Sequence, residues 1–201
     1  MFSSWARAVI FSKMLDRPII AFATAAEFRN WLEDHHADHA GIWLKFAKKA
    51  SGILSVTYPE AVDEALCFGW IDGQVKRFDE SWWLQRFTKR GPRSIWSKIN
   101  VGHVTRLTAA GRMLPAGLAA VEAAQADGRW EAAYHSPSTA ELPEDFRRAV
   151  DEVPAARAFC QTLAKSERYR IYFQITTAKL AETRARRIAN FVSKLERGEK
   201  P

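Results

Sequence analysis

The chain has 201 residues, of which 47% are hydrophobic and 26% are charged, so it is long enough to bury a core of ordinary size. This composition excludes intrinsic disorder, a collagen-like chain and an all-charged coiled coil. No apolar run approaches the ~20 residues that a bilayer span needs. With a net charge of +7, the sequence predicts a basic globular protein.

Residues 1–18 are predicted to lie outside the fold. Lys13, Asp16 and Arg17 interrupt the apolar stretch that a signal peptide would need, and Met14 offers a second start. We therefore interpret residues 1–18 as an extension or a mis-assigned start. Two isolated cysteines exclude a disulfide framework, which is typical of a reducing compartment, and we expect a cytoplasmic protein.

Residues 19–111 are predicted to form an α+β part with a small antiparallel sheet. Capping boxes at 24–27 and 57–60 each predict a helix start, and Gly69 ends the second helix. Alternation of apolar residues and turn signals predict the strands. The predicted strands are 42–49, 70–78 and 82–88, with a turn at 79–81.

Residues 112–201 are predicted to be all helical and to unfold with residues 19–111 as one cooperative unit. Ser94 is the predicted N-cap of a helix that Gly111 ends. Prolines and one serine predict the later helix starts. These helices span 115–126, begin at 143, span 154–163 and begin at 166, with a bend predicted at 176–177.

The positive charge is concentrated in two segments. Residues 74–106 and residues 165–201 each carry a net charge of +6, and the rest of the chain is acidic. Two basic segments on an otherwise acidic chain indicate an anionic partner.

The first basic segment holds the predicted ligand site. Arg90 and Arg93 flank a turn that leads to the helix start predicted at Ser94, and a helix N-terminus binds anions through its free N–H groups and its dipole. Asp72 would orient the ligand. The alternative is a solvated loop beside a sheet on which arginine stacks on tryptophan, with Asp72 as a turn former. The predicted site comprises Asp72, Arg86, Arg90, Arg93, Ser94, Trp96 and Lys98.

In the second basic segment, Arg184 and Arg187 lie three residues apart on one face of the predicted final helix. Such a face can follow the phosphates of a nucleic acid, although most exposed basic helices are simply solvated. His35 and His39 have the spacing of metal ligands on a helix, but no distant histidine or cysteine pair completes a site. We therefore expect no metal and no cofactor.

Five strings of the sequence carry a family resemblance. They are residues 61–73 (AVDEALCFGWIDG), 85–88 (QRFT), 94–100 (SIWSKIN), 178–179 (AK) and 182–188 (ETRARRI). These strings resemble the YdeI/OmpD-associated, or bacteriocin-protection, family, and the similarity runs from about residue 20 to residue 200. The resemblance implies a bacterial cytoplasmic protein connected with tolerance of bacteriocins or antimicrobial peptides. It implies no established reaction and no catalytic residues.

Three functional hypotheses follow. The favoured one is a non-catalytic binding protein for an anionic small molecule or an anionic protein. The first alternative is an enzyme that acts on a phosphorylated or acidic small molecule with Asp72 as general base. The second alternative is a nucleic-acid-binding protein that uses the C-terminal helix. No membrane insertion is expected.

Overall fold

The computed structural model describes residues 17–38 and 40–201, which form two compact units. The first unit contains the chain up to Ser94 together with Asn100–Glu131, and the second contains Ile95–Ile99 together with Ala132–Pro201. Of the predicted extension at 1–18, the described part is residues 17 and 18 alone.

The predicted α+β class, with an all-helical C-terminal part, is confirmed. The described residues form four strands and eight α-helices. The strands are β1 (Ile19–Ala21), β2 (Ile42–Ala47), β3 (Trp70–Arg77) and β4 (Trp82–Lys89). The helices are α1 (Ala25–His35), α2 (Tyr58–Cys67), α3 (Lys98–Ala109), α4 (Pro115–Ala126), α5 (Glu144–Asp151), α6 (Pro154–Thr162), α7 (Lys165–Thr176) and α8 (Ala181–Glu196).

The four strands form one sheet in the order β1-β2-β4-β3. β4 pairs antiparallel with both β2 and β3, so the predicted turn at 79–81 does join two antiparallel strands. Asp79 fixes the turn between β3 and β4, since its Oδ1 accepts the N–H groups of Ser81 and Trp82, each at 2.8 Å. The sequence does not predict β1, which pairs in parallel with β2 and makes the sheet mixed. Three residues are too few to show an alternating pattern.

Both predicted helix starts are present, but only the second capping box is complete. Glu60 accepts the Thr57 N–H at 2.9 Å. At the first helix, the Thr24 hydroxyl accepts the Glu27 N–H at 3.2 Å, whereas the Glu27 carboxylate accepts the N–H of Ala23 at 2.9 Å instead of that of Thr24. After α2, Gly69 has a left-handed φ of +71°, and a Cβ there would lie 2.7 Å from the carbonyl oxygen of Ala116. Glycine is needed at this position both for the turn and for the close approach of α4.

The prediction that Ser94 caps a helix is wrong, because α3 begins at Lys98. Residues 96–98 are instead held by backbone hydrogen bonds to a distant segment. Ser97 and Tyr134 form a parallel bridge, and the Trp96 carbonyl accepts the Tyr134 N–H at 3.0 Å. These tertiary contacts keep the chain extended where the local sequence favours a helix start.

The helices of the second unit pack around their own hydrophobic core. Its buried members include Phe146, Val150, Ile171, Ile175, Phe191 and Leu195. The continuous helix predicted from residue 166 is two helices, α7 and α8, separated by residues 177–180. The break lies where Thr176 and Thr177 predict a bend, and the Thr177 hydroxyl donates to the Phe173 carbonyl at 2.6 Å. Such side-chain bonds to the preceding turn compete with a continuing helix.

Candidate functional site

An open groove of about 610 Å³ lies between α5 and α8 in the second unit. Its long wall is one face of α8, from Ala181 to Glu196, where lining residues recur every three or four positions. Because α8 has 16 residues, this wall is about 24 Å long. The opposite wall is α5, followed by Val153. The groove is therefore elongated, and its volume is typical of ligand sites.

The floor of the groove consists of small and aliphatic side chains. Ile188 and Val192 line the groove and pack against the core of the unit, as does Val153. Alanines at 181, 185 and 189 lie four residues apart on the same face of α8 and are exposed. Because these alanines carry no long side chain, a second segment can approach α8 closely along this face.

An ion pair at the groove joins α5 to α8. Arg184 Nε and Nη2 donate to the two carboxylate oxygens of Asp145 at 2.7 and 2.8 Å. These hydrogen bonds hold the pKa of the Asp145 carboxyl below its ordinary value, although burial opposes the shift. A third donor, Arg184 Nη1, lies 3.0 Å from the carbonyl oxygen of Ile175. Asp145 is thus neutralised within the unit.

Two further carboxylates of the groove have no such partner. Glu152 and Glu196 both line the groove and are exposed. Within residues 17–38 and 40–201, no lysine or arginine forms a salt bridge with either of them. Three carboxylates and one guanidinium therefore line a groove on a chain whose net charge is +7. The groove is complementary to an apolar surface that carries positive charge.

The sequence-predicted residues Arg184 and Arg187 share one face of α8 and are used inside the second unit. Arg184 binds Asp145 and the Ile175 carbonyl, and Arg187 donates to the Gln174 carbonyl. The last carbonyls of α7 lack helical partners, so both arginines satisfy and electrostatically stabilise its C-terminus. Binding of nucleic acid by this face stays a prediction.

The structure places Asp72 and Arg86 on opposite faces of the sheet. Asp72 lies opposite Phe87 in the ladder, and Arg86 follows directly before Phe87 on β4, so their side chains point in opposite directions. The carboxylate of Asp72 accepts the Tyr58 hydroxyl at 2.7 Å and the Gln85 amide at 3.4 Å. The sheet therefore does not bring the two predicted site residues together, and Asp72 is part of an internal hydrogen-bond network.

The loop at Arg90, Arg93 and Ser94 lacks the helix N-terminus on which its predicted anion site depends. The Gly91 N–H donates to Ser94 Oγ at 3.1 Å, and the Ser94 N–H donates to the Gly91 carbonyl at 3.0 Å. These bonds close a turn upon itself and occupy backbone donors that an anion would need. Arg93 is exposed and Arg90 is half-buried. Anion binding by these two arginines stays a prediction.

The remaining predicted residues, Trp96 and Lys98, belong to the second unit. Trp96 is 2% exposed, so its ring is a buried packing element. The Lys98 N–H donates to the Tyr134 carbonyl at 2.8 Å, and the Lys98 side chain is exposed. The predicted ligand site is therefore divided between the two units.

His39, one of the two histidines weighed as metal ligands, lies outside the described residues. In the described part of the chain, no group of three or more His, Cys, Asp and Glu side chains is placed to hold a metal ion. His35 lies against the ring of Trp31, with centroids 4.8 Å apart. The same part of the chain contains no helix with the length and hydropathy required to cross a bilayer.

Replacing Asp145 with asparagine is expected to lower the free energy of unfolding at neutral pH by about 1 kcal/mol, because the ion pair with Arg184 is half-exposed. The hydrogen bonds from Arg184 hold the folded pKa of Asp145 below its unfolded value, so its contribution is fully present above the unfolded pKa and is lost as the pH falls through the folded pKa. Urea unfolding should show a constant difference from wild type between about pH 7 and about pH 5, and a shrinking one below about pH 4. In an Arg184→Ala background the same substitution should change little. A difference that grows on acidification contradicts the prediction.

The sequence predicts both helices of the groove but does not predict the groove itself. The available signal is the alanine spacing at 181, 185 and 189 beside Ile188 and Val192 on one helical face. This pattern marks a face that lacks long side chains. The position of α5 against that face depends on tertiary packing, which periodicity does not encode.

Two family models match separate segments of the chain. Residues 20–120 match the model described as a domain of unknown function, DUF8412. Residues 139–198 match the model described as Bacteriocin-protection, YdeI or OmpD-Associated, which confirms the predicted resemblance for the segment that contains α5–α8 and the whole groove. The resembling strings at 61–73, 85–88 and 94–100 lie inside the first match. No curated protein and no solved structure matches the chain.

Proposed function

The chain belongs to the DUF8412 family, whose description assigns no activity, and we therefore propose its function from the groove and the bacteriocin-protection match that contains it. The protein is a binding protein whose α5–α8 groove holds a cationic amphipathic peptide in helical form. Binding of the peptide would lower its free concentration and protect the cell from it. The observation that carries this proposal is the aliphatic floor flanked by the exposed carboxylates of Glu152 and Glu196, neither of which forms a salt bridge among the described residues.

The shape of the groove supports a helical peptide over a compact metabolite. A peptide of about 16 residues in an α-helix matches the ~24 Å wall formed by α8. Its apolar side chains, recurring at helical intervals, would pack on Ile188, Val192 and the alanines between them. This arrangement is the helix-in-groove mode, in which an amphipathic helix lays its apolar face on a hydrophobic surface.

The charge of the groove supports a cationic occupant. Glu152 and Glu196 would pair with lysine or arginine side chains at the edge of the peptide's apolar face. Membrane-active antimicrobial peptides have this pattern, with basic residues on one face and apolar residues on the other. The match of residues 139–198 to a bacteriocin-protection model supports a toxic peptide as the natural occupant.

Binding is tested by titrating the full chain with a fluorescent amphipathic helix of lysine and leucine. A scrambled peptide of the same composition controls for amphipathicity, and a glutamate–leucine analogue controls for charge. We expect micromolar affinity for the first peptide alone, since the groove is open and only one face of the peptide is buried. Ala185→Trp, which fills the groove, should weaken binding at least tenfold, and Glu196→Lys should weaken it with a loss of salt dependence.

Ala158→Trp provides the matched control, because Ala158 is an exposed alanine of α6 that does not line the groove. It should bind like the wild type. Equal affinity for the amphipathic and scrambled peptides contradicts the proposal, as does wild-type binding by Ala185→Trp. Sedimentation of the unliganded chain tests whether a second copy of the chain occupies the groove. If the wild type is a dimer and Ala185→Trp is a monomer, the occupant of the groove is a second copy and not a peptide.

A further inference from the structure

A second surface with the chemistry of a binding site lies in the first unit, at the end of the sheet where β2 finishes. The Ala47 N–H donates to Ser55 Oγ at 3.0 Å, so the loop that follows β2 folds back beside it. Lys48 is bonded to the β3–β4 turn, since its N–H donates to the Ser81 carbonyl at 2.7 Å and its Nζ donates to the Asp79 carbonyl at 2.8 Å. The loop at 52–55 and the turn at 78–81 therefore flank the same strand end.

This end of the unit exposes large apolar side chains. Leu54 is 74% exposed and its neighbour Ile53 is 44% exposed. Gly52 precedes them with a left-handed φ of +66° and open space at its Cβ position, so the start of this loop is exposed. Phe78, in the neighbouring turn, is 36% exposed. Single exposed aliphatic residues are ordinary on a surface, but two adjacent ones on an exposed loop, with an exposed aromatic ring in the turn at the same strand end, form an apolar tip.

Positive charge surrounds this tip. Lys48 and Lys49 precede the loop, and Arg77 precedes Phe78. Lys45 lies with its Nζ 4.7 Å from the ring centre of Phe78 and 4.4 Å from that of Trp82, so its ammonium stands at the edge of the apolar surface. Of the two acids in the turn, Asp79 uses its Oδ1 to hold the turn, and Glu80 is exposed. The cations therefore outnumber the acids at this end of the sheet.

We propose that this end of the first unit binds the surface of an anionic phospholipid membrane. Ile53 and Leu54 enter the boundary between the headgroups and the acyl chains, and Lys45, Lys48 and Lys49 contact the lipid phosphates. Neither signal is sufficient by itself, because a short apolar tip or a few lysines each bind a membrane weakly, whereas the two together give measurable attachment. Aromatic rings beside lysines are favoured at the lipid–water interface. A small apolar tip surrounded by lysines fits a lipid surface better than it fits the broad apolar core of a protein interface.

This inference rests on the first unit and does not depend on the peptide groove. It is tested by flotation of the full chain with vesicles of phosphatidylcholine containing phosphatidylglycerol, and with vesicles of phosphatidylcholine alone. We expect the wild type to float with the anionic vesicles and to dissociate in high salt. The double variant Ile53→Ser/Leu54→Ser and the single variant Lys49→Glu should each partition at least tenfold less.

The chain provides matched controls for both kinds of substitution. Leu180 is 67% exposed in the second unit, so Leu180→Ser removes a similar apolar side chain elsewhere and should partition like the wild type. Lys165→Glu reverses an exposed lysine of α7 and should also retain binding. The proposal is overturned if the wild type does not float with anionic vesicles. It is equally overturned if the double variant floats like the wild type, because charge would then act without the apolar tip.

Discussion

Replacing Glu64 with glutamine is expected to lower the free energy of unfolding by about 3 kcal/mol, the low end for a buried ion pair that loses one partner. The side chain of Glu64 is 7% exposed. Its two carboxylate oxygens accept from Arg112 at 2.5 Å and from Arg29 at 3.0 Å. Glutamine keeps the shape but removes the charge that both guanidinium groups need. The loss stays at the low end because Arg112 is 39% exposed, so water partly replaces its lost partner.

Glu33 provides the control for this prediction, because it pairs with the same arginine on the surface. Its carboxylate lies 3.3 Å from Arg29 Nε and its side chain is 52% exposed. Glu33→Gln should therefore change the unfolding free energy by less than about 0.5 kcal/mol. Urea unfolding followed by circular dichroism measures both variants. Equal effects of the two substitutions would show that burial of Glu64 does not strengthen its ion pairs.

Replacing Gly117 with alanine is expected to destabilise the protein by about 1–3 kcal/mol, even though alanine is the better helix former. Gly117 lies in α4, where helix propensity alone would favour alanine by about 1 kcal/mol. However, a Cβ at this position would lie 2.8 Å from the Leu66 carbonyl oxygen and would overlap that of Cys67. Both obstacles are backbone atoms at the end of α2, so they cannot be relieved by a side-chain rotation.

Gly102→Ala in α3 is expected to stabilise the protein, in contrast to Gly117→Ala. No atom lies within 4 Å of the Cβ position at Gly102, so propensity alone should stabilise this variant by up to about 1 kcal/mol. Thermal and urea unfolding of the two variants test the pair directly. If Gly117→Ala is as stable as Gly102→Ala, α2 and α4 are less closely packed than the structure indicates.

The elements that the sequence predicts well are those decided by local chemistry. Thr24 and Thr57 each cap a helix with a glutamate three residues later, and both interactions lie within one helical turn. The starts of α4 and α6 are predicted because proline is favoured in a first turn, and both begin with it. In each case, the residues that decide the structure are close together in the chain.

The predictions that fail concern residues whose partners are distant in the chain. Serine is favoured at N-caps, and Ser94 is therefore predicted to begin a helix. However, the backbone of residues 96–98 is hydrogen-bonded to Tyr134. The pairing of Asp145 with Arg184 joins residues 39 positions apart. The sequence analysis names Arg184 alone, as a base on one face of the predicted final helix. No sequence periodicity relates Asp145 to Arg184. The groove that they line therefore depends on tertiary packing, which the sequence pattern does not show.

The short segment Ile95–Ile99 has a consequence for how the two parts of the chain could be exchanged or recombined. This segment belongs to the second unit, yet it lies inside the first family match, which covers 20–120. A fragment that began at Ala132 would leave both backbone groups of Tyr134 without the partners that Trp96 and Lys98 supply. If residues 20–120 were joined to a different C-terminal domain, Ile95–Ile99 would be retained without Tyr134, the residue to which their backbone is hydrogen-bonded. The first matched segment therefore includes five residues that belong to the second unit, and a cut between residues 120 and 132 would separate them from the rest of that unit.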